Sequence, residues 1–509
     1  MSATTDCSDR AFVAGDLVCE VCVVGSGVGG ATAARVLAEA GKDVVLLEEG
    51  GDFTGPDKLT QRDMAMYDQV YVDRGGRTTV DRSIAILAGR VLGGGGVINA
   101  CDVVPVHENT WLHWQKQHGL TGWTQAAMAP FQAQAMRDMA ASRIPEAMIN
   151  RNNQLLRQGA QALGWQFEVM QHNRVGCQGL GSCLIGCPLG AKRNPRMVQI
   201  PAAQARGARV YTRVRATRID AATTDTKTVH CRTMDAKGYH PKTAFSVRAK
   251  TVVVACNPVG SVALLHQSGL RHSLLGEYVS LQPQLPIVAQ FDAPVGAFTG
   301  IPQAVAVTQF EQFSVQTGLG GFRIEAIFGT PGILGSLVSV PGPIGKQFMT
   351  QLTHTAAALL LVPDQPAGKI TVDGDGRPHV HYTLTQQWQE QARKAVVAAG
   401  QIYFAMGAKQ VAVPSAPMRL FRNAKELDSF ADFPFLPASV PLISAHQQGG
   451  ARASPSEETG VCKPSGEVWG TKGVYVLDSS TFPGSSSSHT MTPIWTVAGY
   501  LAAGIAASS

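Results

Sequence analysis

The chain has 509 residues, 45% of them apolar and 16% charged, with a formal net charge of +6 at pH 7. Average usage is roughly 25% charged, so this is an ordered globular chain with a sparsely charged surface. Its mild charge, with no run of consecutive Lys or Arg, gives no reason to expect nucleic-acid binding. No apolar stretch reaches the roughly 18 residues that span a bilayer, and the start, MSATTDCSDRAFVAGD, lacks the basic-then-apolar pattern of a secretory signal. The expectation is a cytoplasmic chain, peripheral to a membrane at most, whose ten cysteines are free thiols or ligands. Its length allows about three domains, or two interleaved lobes.

In chain order, Val21 to Val24 form an apolar run suited to a strand buried on both faces, and it breaks into Gly25-Ser26-Gly27-Val28-Gly29-Gly30. Ala31 to Ala40 then suits a helix ending at Gly41, and Val44 to Leu47 a second strand. This predicts a βαβ unit that holds a dinucleotide pyrophosphate at the helix start, where free N–H groups and the helix dipole favour negative charge. Gly25 would make the tight turn, Gly27 would admit the phosphates, and Gly30 would let helix and strand pack closely. Glu48 stands at the right distance to accept hydrogen bonds from an adenosine ribose. The motif does not separate NAD from FAD.

Gly51 to Arg82 is polar and irregular, an excursion or lid. Next, Gly89 to Ala100 reads GRVLGGGGVINA, and four consecutive glycines predict either close approach by a large planar ligand or positive φ. This segment resembles the flavin-contacting signature of the glucose-methanol-choline (GMC) oxidoreductases, with Gly95 and Gly96 where two serines are usual. The resemblance implies that Arg90, Gly93, Gly94, Asn99 and Ala100 line the isoalloxazine and ribityl chain of FAD. It extends through Trp111, Trp114 and Gly122-Trp123.

Met128 to Leu163 reads as helical apart from Pro130 and Pro145. Cys177, Cys183 and Cys187 then make a C-x5-C-x3-C-P run, dense enough for metal or iron–sulfur ligation. Its spacing resembles that of bacterial multisubunit sugar dehydrogenases, whose three cysteines hold a [3Fe–4S] cluster serving a cytochrome partner, and equally that of the long-chain alcohol oxidase branch. A structural cysteine-rich loop beside the flavin is the preferred reading and a cluster the alternative. Cys19 and Cys22 spell CxxC on the first strand and read as buried thiols.

Arg209 to Ile219 is β-rich, and the resemblance gives Val214 the backbone contact to adenine. Lys250 to Ala255 is a buried strand running into the helix Val262 to Gln267. From about 276 to 440 prolines multiply and apolar runs such as Ile333 to Val340 appear, which suggests a separate substrate lobe with an antiparallel sheet and a helix from Gln386 to Phe404. Ile370 to Tyr382 reads as strand, turn and strand. An apolar helix, Val497 to Ala507, closes the chain.

Two histidines stand near the C-terminus: His446, in AHQQGG, and His489, in SSHTMT, after the strand GVYVLDSS. A neutral imidazole suits removal of a hydroxyl proton at pH 7. The motifs match the GMC pattern, SSHTMT closely the glucose oxidase form. The resemblance implies that His446 is the base while hydride passes to flavin N5, that His489 stabilises the alkoxide, that Asp478 with Ser479 lies near the pyrophosphate, and that Thr490 and Met491 lie near the flavin.

The expected fold class is α/β: a Rossmann-like FAD-binding lobe, discontinuous in sequence (15–275, with excursions at 51–88 and 108–200, then 441–509), and an α+β substrate lobe at 276–440 on an antiparallel sheet. The expected activity is FAD-dependent oxidation of a CH–OH substrate, an apolar or long-chain alcohol or sterol-like compound, with oxygen, quinone or a cytochrome left open as acceptor. The alternatives are lyase or photochemical decarboxylase work on the same scaffold, or an electron-transfer subunit with a cluster.

Overall fold

The computed structural model describes residues 4–9, 12–220, 225–337, 342–486 and 489–508. Ser487 and Ser488 of the SSHTMT motif, and 338–340 of the apolar run from Ile333, lie outside them.

The first sheet grows from the predicted βαβ unit. Leu17–Val24 pairs in parallel with Val44–Glu48 on one side and with Pro241–Val254 on the other. Arg209–Thr212 and Thr5–Asp6 extend the parallel edge, Lys227–Met234 and Val214–Asp220 add antiparallel strands, and Val474–Val476 pairs with the end of Pro241–Val254. Val21 to Val24 are buried, as a strand covered on both faces requires. The helix Val28–Glu39 presents Ala31, Ala34, Leu37 and Ala38 to this core. These small side chains let the C-terminal helix, Met491–Ser508, pack against it.

The second sheet is antiparallel along its main path: Arg419–Phe421, Gln410–Val413, Gln284–Gln290, Thr355–Leu361, Arg323–Ala326, Val305–Val307 and Phe167–Val169. Leu442–Ser444 and Ile84–Ile86 attach beside Gln284–Gln290. The period of two divides its faces: Leu285, Ile287 and Ala289 belong to the lobe's apolar core, which includes residues of the helix Gln386–Ala405. Gln284, Pro286 and Val288 line a cavity on the other face, with Ala357 and Leu359 from the paired strand.

Several boundaries differ from expectation. The helical run Met128 to Leu163 is two helices, Gln125–Asp138 and Arg151–Ala162, separated by the short strand Ser142–Arg143 and a turn at Glu146–Met148. Ala140 has φ +48° and Pro145 lacks an N–H, so no continuous helix can pass. Arg209 to Ile219 breaks at Arg213, where φ is +59° and the main chain bonds to Gly50 and Met234 instead. The excursion 51–82 contains a helix, Asp63–Val70. No helix among the described residues is long and apolar enough to cross a membrane.

Candidate functional site

A cavity of about 1100 Å³ lies between the two sheets. Its wall includes Gly25, Ser26, Gly27, Val28, Gly29 and Glu48, together with His446, His489, Thr490 and Met491. Arg90, Gly94, Asn99, Ala100, Val214 and Asp478 also line it. Gly30, Gly93 and Ser479 are not part of the wall, and each supports it from behind.

The glycines divide by what their missing side chains would meet. Gly25 takes φ +97°, and a Cβ there would strike the Ala255 carbonyl. Gly30 packs on the Gly25 carbonyl, while Gly29 packs on the Leu477 carbonyl and so joins the helix start to the C-terminal part of the chain. Gly27 faces open space. The second cluster repeats the division. A Cβ on Gly94 would come within 2.6 Å of Gly27 Cα and one on Gly96 would meet Pro195, whereas Gly95 is open and lines the cavity. Close approach by the protein itself therefore accounts for Gly94 and Gly96.

Ser26 ties the two glycine clusters together. Its N–H and hydroxyl donate to Glu48 Oε2 at 3.0 and 2.6 Å, and its Oγ accepts from Gly93 N–H at 3.0 Å. Glu48 also accepts from Gly50 N–H, at 2.8 Å, and burial pushes its carboxyl up. Ser26→Ala is expected to orphan the buried Gly93 N–H at a cost of about 1–3 kcal/mol. Denaturant unfolding with and without added FAD checks this; an unchanged midpoint would count against the tie.

Asp478 accepts from Ser261 Oγ at 2.6 Å and from Ser480 N–H at 2.8 Å, while the Ser479 hydroxyl donates to the Gln447 carbonyl. Arg90 donates to the Gly238 carbonyl at 2.6 Å, and its Nε has no partner among the described residues. Asn99 sets its amide 3.1 Å from Met491 Sδ, and the buried Lys192 ammonium beneath donates to the Val97 and Asn99 carbonyls at 2.7 Å.

His446 and His489 come together across 43 residues of sequence: their ring centroids are 5.2 Å apart and the planes cross at 81°. His446 follows the strand Leu442–Ser444 and is fixed by the main-chain bridge between Gln448 and Ser280. Its Nδ1 lies 2.9 Å from Gln282 Oε1 and 3.0 Å from Gln284 Nε2. We assign the proton to Nδ1, donating to Gln282, which leaves the Nε2 lone pair free. Burial and the neighbouring His489 pull the His446 pKa down to about 3, so this imidazole is neutral.

His489 is the opposite case. Its Nε2 lies 2.9 and 3.0 Å from the two oxygens of Glu325, a residue with no solvent exposure. Burial pulls the imidazolium down, but the charge and hydrogen bond of Glu325, with the Asp102 carboxyl, outweigh it and the net shift is upward. Burial favours the neutral acid form of Glu325, yet His489 and Arg323 together hold the carboxylate below its usual range. Arg323 also pairs with Glu168 and Glu311, and Gln303 donates to Glu325 at 2.8 Å. Sequence reasoning missed Glu325. The one signal was Arg323-Ile-Glu325, two opposite charges placed by strand alternation on one face of an apolar lobe.

The cysteine run does not gather. Among the described residues no three His, Cys, Asp or Glu side chains are placed to hold a metal ion. Cys183 accepts from Arg174 at 3.7 Å, Cys177 accepts from Gly179 N–H at 3.5 Å, and Cys187 lines a separate cavity of about 200 Å³. This arrangement does not fit a cluster. Cys19 and Cys22 are buried within the first sheet.

Comparison with known proteins places these features in context. Residues 67–284 match the N-terminal GMC oxidoreductase profile and 364–498 the C-terminal one, while 23–85 match an NAD(P)-binding Rossmann-like domain. An uncharacterized GMC-type oxidoreductase of Mycobacterium tuberculosis is 31% identical over 91% of this chain and 71% of its own length. A long-chain-alcohol oxidase of Arabidopsis thaliana is 26% identical over 94% of this chain and 66% of its own length. A formate oxidase variant of Aspergillus oryzae superposes with a TM-score of 0.70 over 97% of this chain and 99% of that one, at 14% identity, and so shares the fold. With one GMC profile matched around the second glycine cluster and the other over the histidine-bearing tail, the chain belongs to the GMC oxidoreductases, the FAD-dependent family that its sequence resembles.

Proposed function

We propose that the chain oxidises the CH–OH group of an alcohol with an apolar body, the FAD lobe being 15–275 with 441–509 and the substrate lobe 276–440. The observation that carries this reading is the imidazole pair, His446 beside Gln282 and His489 against the buried Glu325, on a cavity whose wall also includes the apolar Pro286, Val288, Ile327, Phe328 and Leu359. The donor set fits FAD: an open Gly27 at a helix start for the pyrophosphate, Glu48 for the ribose, Val214 for the adenine, and Gly95, Asn99 and Ala100 for the ring system. FAD, when bound, supplies the two-electron acceptor.

The protein's own part is to move one proton and hold one charge. His446 Nε2 takes the hydroxyl proton, and Gln282 steadies the resulting imidazolium through Nδ1–H. His489, kept protonated by Glu325, offers its remaining N–H to the oxygen as negative charge develops there, which is how a preorganised donor lowers a barrier. The apolar wall excludes water and strengthens both interactions.

A visible spectrum of the FAD-loaded protein under anaerobic conditions tests this with a panel of alcohols. Long-chain alcohols are expected to bleach the flavin faster than glucose does. A flavin that stays oxidised with every alcohol would reject the proposal in favour of non-redox or photochemical work.

A further inference from the structure

We propose that Asp364 is a positioning residue for the base: by tying down the main chain at Leu281 it aims the Gln282 amide oxygen at His446 Nδ1, and so keeps the Nε2 lone pair free for the substrate. The inference rests on the alcohol-oxidation reading for its consequence, and adds to it a carboxylate that lies outside the cavity wall.

Two amides compete for His446 Nδ1. Gln282 offers it an oxygen at 2.9 Å and Gln284 a nitrogen at 3.0 Å. An Nδ1–H that donates to Gln282 leaves Nε2 able to take a proton, whereas an Nδ1 that accepts from Gln284 puts the ring proton on Nε2 and removes the base. The two glutamines are held differently. Gln284 starts the strand Gln284–Gln290 and pairs with Leu361 and Ile443, so the sheet fixes it. Gln282 lies just outside that strand, has φ +45° and precedes Pro283. Left-handed backbone is unfavourable for a residue with a side chain, and a residue before proline prefers extended geometry. The surrounding contacts must therefore hold it there.

Asp364 supplies one of those contacts. Continuing the register of Gln284 with Leu361 outward sets Leu281 opposite Asp364. The Leu281 N–H donates to Asp364 Oδ2 at 2.9 Å, and the Tyr382 hydroxyl donates to the same oxygen. Asp364 has no solvent exposure. Burial pushes its carboxyl up to about 6, opposed by the Tyr382 hydroxyl and the N–H groups of Leu281 and Gln282, so at pH 7 it is ionised and accepts. From the other side, the Leu281 carbonyl accepts from Ser444 Oγ, two residues before His446, and the Pro283 carbonyl accepts from Trp388 Nε1 at 3.2 Å. The chain on both sides of Gln282 is anchored, and Asp364 is the ionised group in that anchorage.

The test reads the tautomer directly. Nitrogen-15 NMR of histidine-labelled, FAD-loaded protein at pH 7, with His446→Asn for assignment, compares wild type, Asp364→Ala and Asp364→Asn. Anaerobic flavin reduction by a long-chain 1-alcohol is followed in the same proteins. Wild type is expected to carry the His446 proton on Nδ1. Asp364→Ala is expected to move it largely to Nε2 and to lower the limiting rate of flavin reduction about tenfold, as the base-competent form falls to about a tenth of the population. The half-saturating alcohol concentration should stay unchanged. Asp364→Asn keeps an oxygen for the Leu281 N–H, so it is expected to retain Nδ1–H and most of the rate. Should Asp364→Ala not yield FAD-loaded protein, Asp364→Ser decides by the same two readouts, its hydroxyl being too short to reach the Leu281 N–H. The proposal is overturned if His446 keeps Nδ1–H with alanine or serine at this position, whatever happens to stability or rate, since Asp364 would then be a structural residue only. It is also overturned if wild type carries the proton on Nε2, or if Asp364→Asn shifts it as far as Asp364→Ala does. A flavin that no alcohol reduces rejects the underlying reaction instead, and the NMR result is read independently of it.

Discussion

Replacing His446 with alanine is expected to slow anaerobic flavin reduction by about 10²-fold or more, the usual worth of a positioned general base. The physical ground is that burial and a cationic neighbour keep His446 neutral far below pH 7. No proton must leave it before it can act, so its own titration is expected to put no acid limb on the rate profile between pH 5 and 7. The substitution removes the ring from a pocket built by Gln282 and Gln284, neither of which can accept a proton at neutral pH. Stopped-flow absorbance of the flavin measures the effect directly, and an unchanged rate would remove His446 from the reaction. Linkage gives a companion expectation. The folded-state pKa is depressed, so the unfolded chain binds the extra proton, and this site's contribution to stability falls as pH drops below about 6.5.

Glu325→Gln is the second large effect. The carboxylate neutralises two buried cations, Arg323 and protonated His489. Gln keeps a hydrogen-bond acceptor for Nε2–H and deletes the charge. Removing one partner of a buried ionic network costs about 3–5 kcal/mol; Glu168 and Glu311 remain on Arg323, so the loss is expected near 3. The functional consequence has a sign. Glu325 raises the His489 pKa, so wild-type rate should fall on the alkaline side as pH rises through that raised value. In Glu325→Gln the same limb should move to lower pH, with a rate near pH 8 lower by ~10²-fold, the scale of losing one charge-stabilising donor. Denaturant unfolding and a pH profile of flavin reduction check both parts. A destabilised variant with an unmoved alkaline limb would make Glu325 a structural residue only.

What the sequence reveals follows the range of the forces involved. The βαβ unit is legible from thirty consecutive residues because an apolar run, a glycine turn and an amphipathic helix each state their structure locally. Gly25 and Gly30 lie against backbone and Gly27 against open space, while Gly29 does not declare itself because its partner, the Leu477 carbonyl, arrives from the far end of the chain. His446 and His489 are recognisable from family motifs. The opposite directions in which their pKa values move are not, because the rings are held by Gln282 and Glu325, each 164 residues away in sequence. Glu325 and Asp364 look like ordinary acidic residues in the linear chain, and only burial against His489 and Leu281 gives them meaning. The break at Ala140 was hidden for the opposite reason: alanine is the best helix former, yet here it takes φ +48° at a helix end where Ala140 and Ala141 N–H donate back to the Arg137 and Met136 carbonyls. The cysteine run shows that spacing alone does not fix where three thiols point.

The claim on which the rest stands is that two adjacent imidazoles hold opposite protonation states at neutral pH. Nitrogen-15 NMR of histidine-labelled, FAD-loaded protein at pH 7, with His446→Asn and His489→Asn for assignment, tests it most directly. The expected result is a neutral ring protonated on Nδ1 for His446 and a ring protonated on both nitrogens for His489. Two neutral rings, or the reverse assignment, would contradict it.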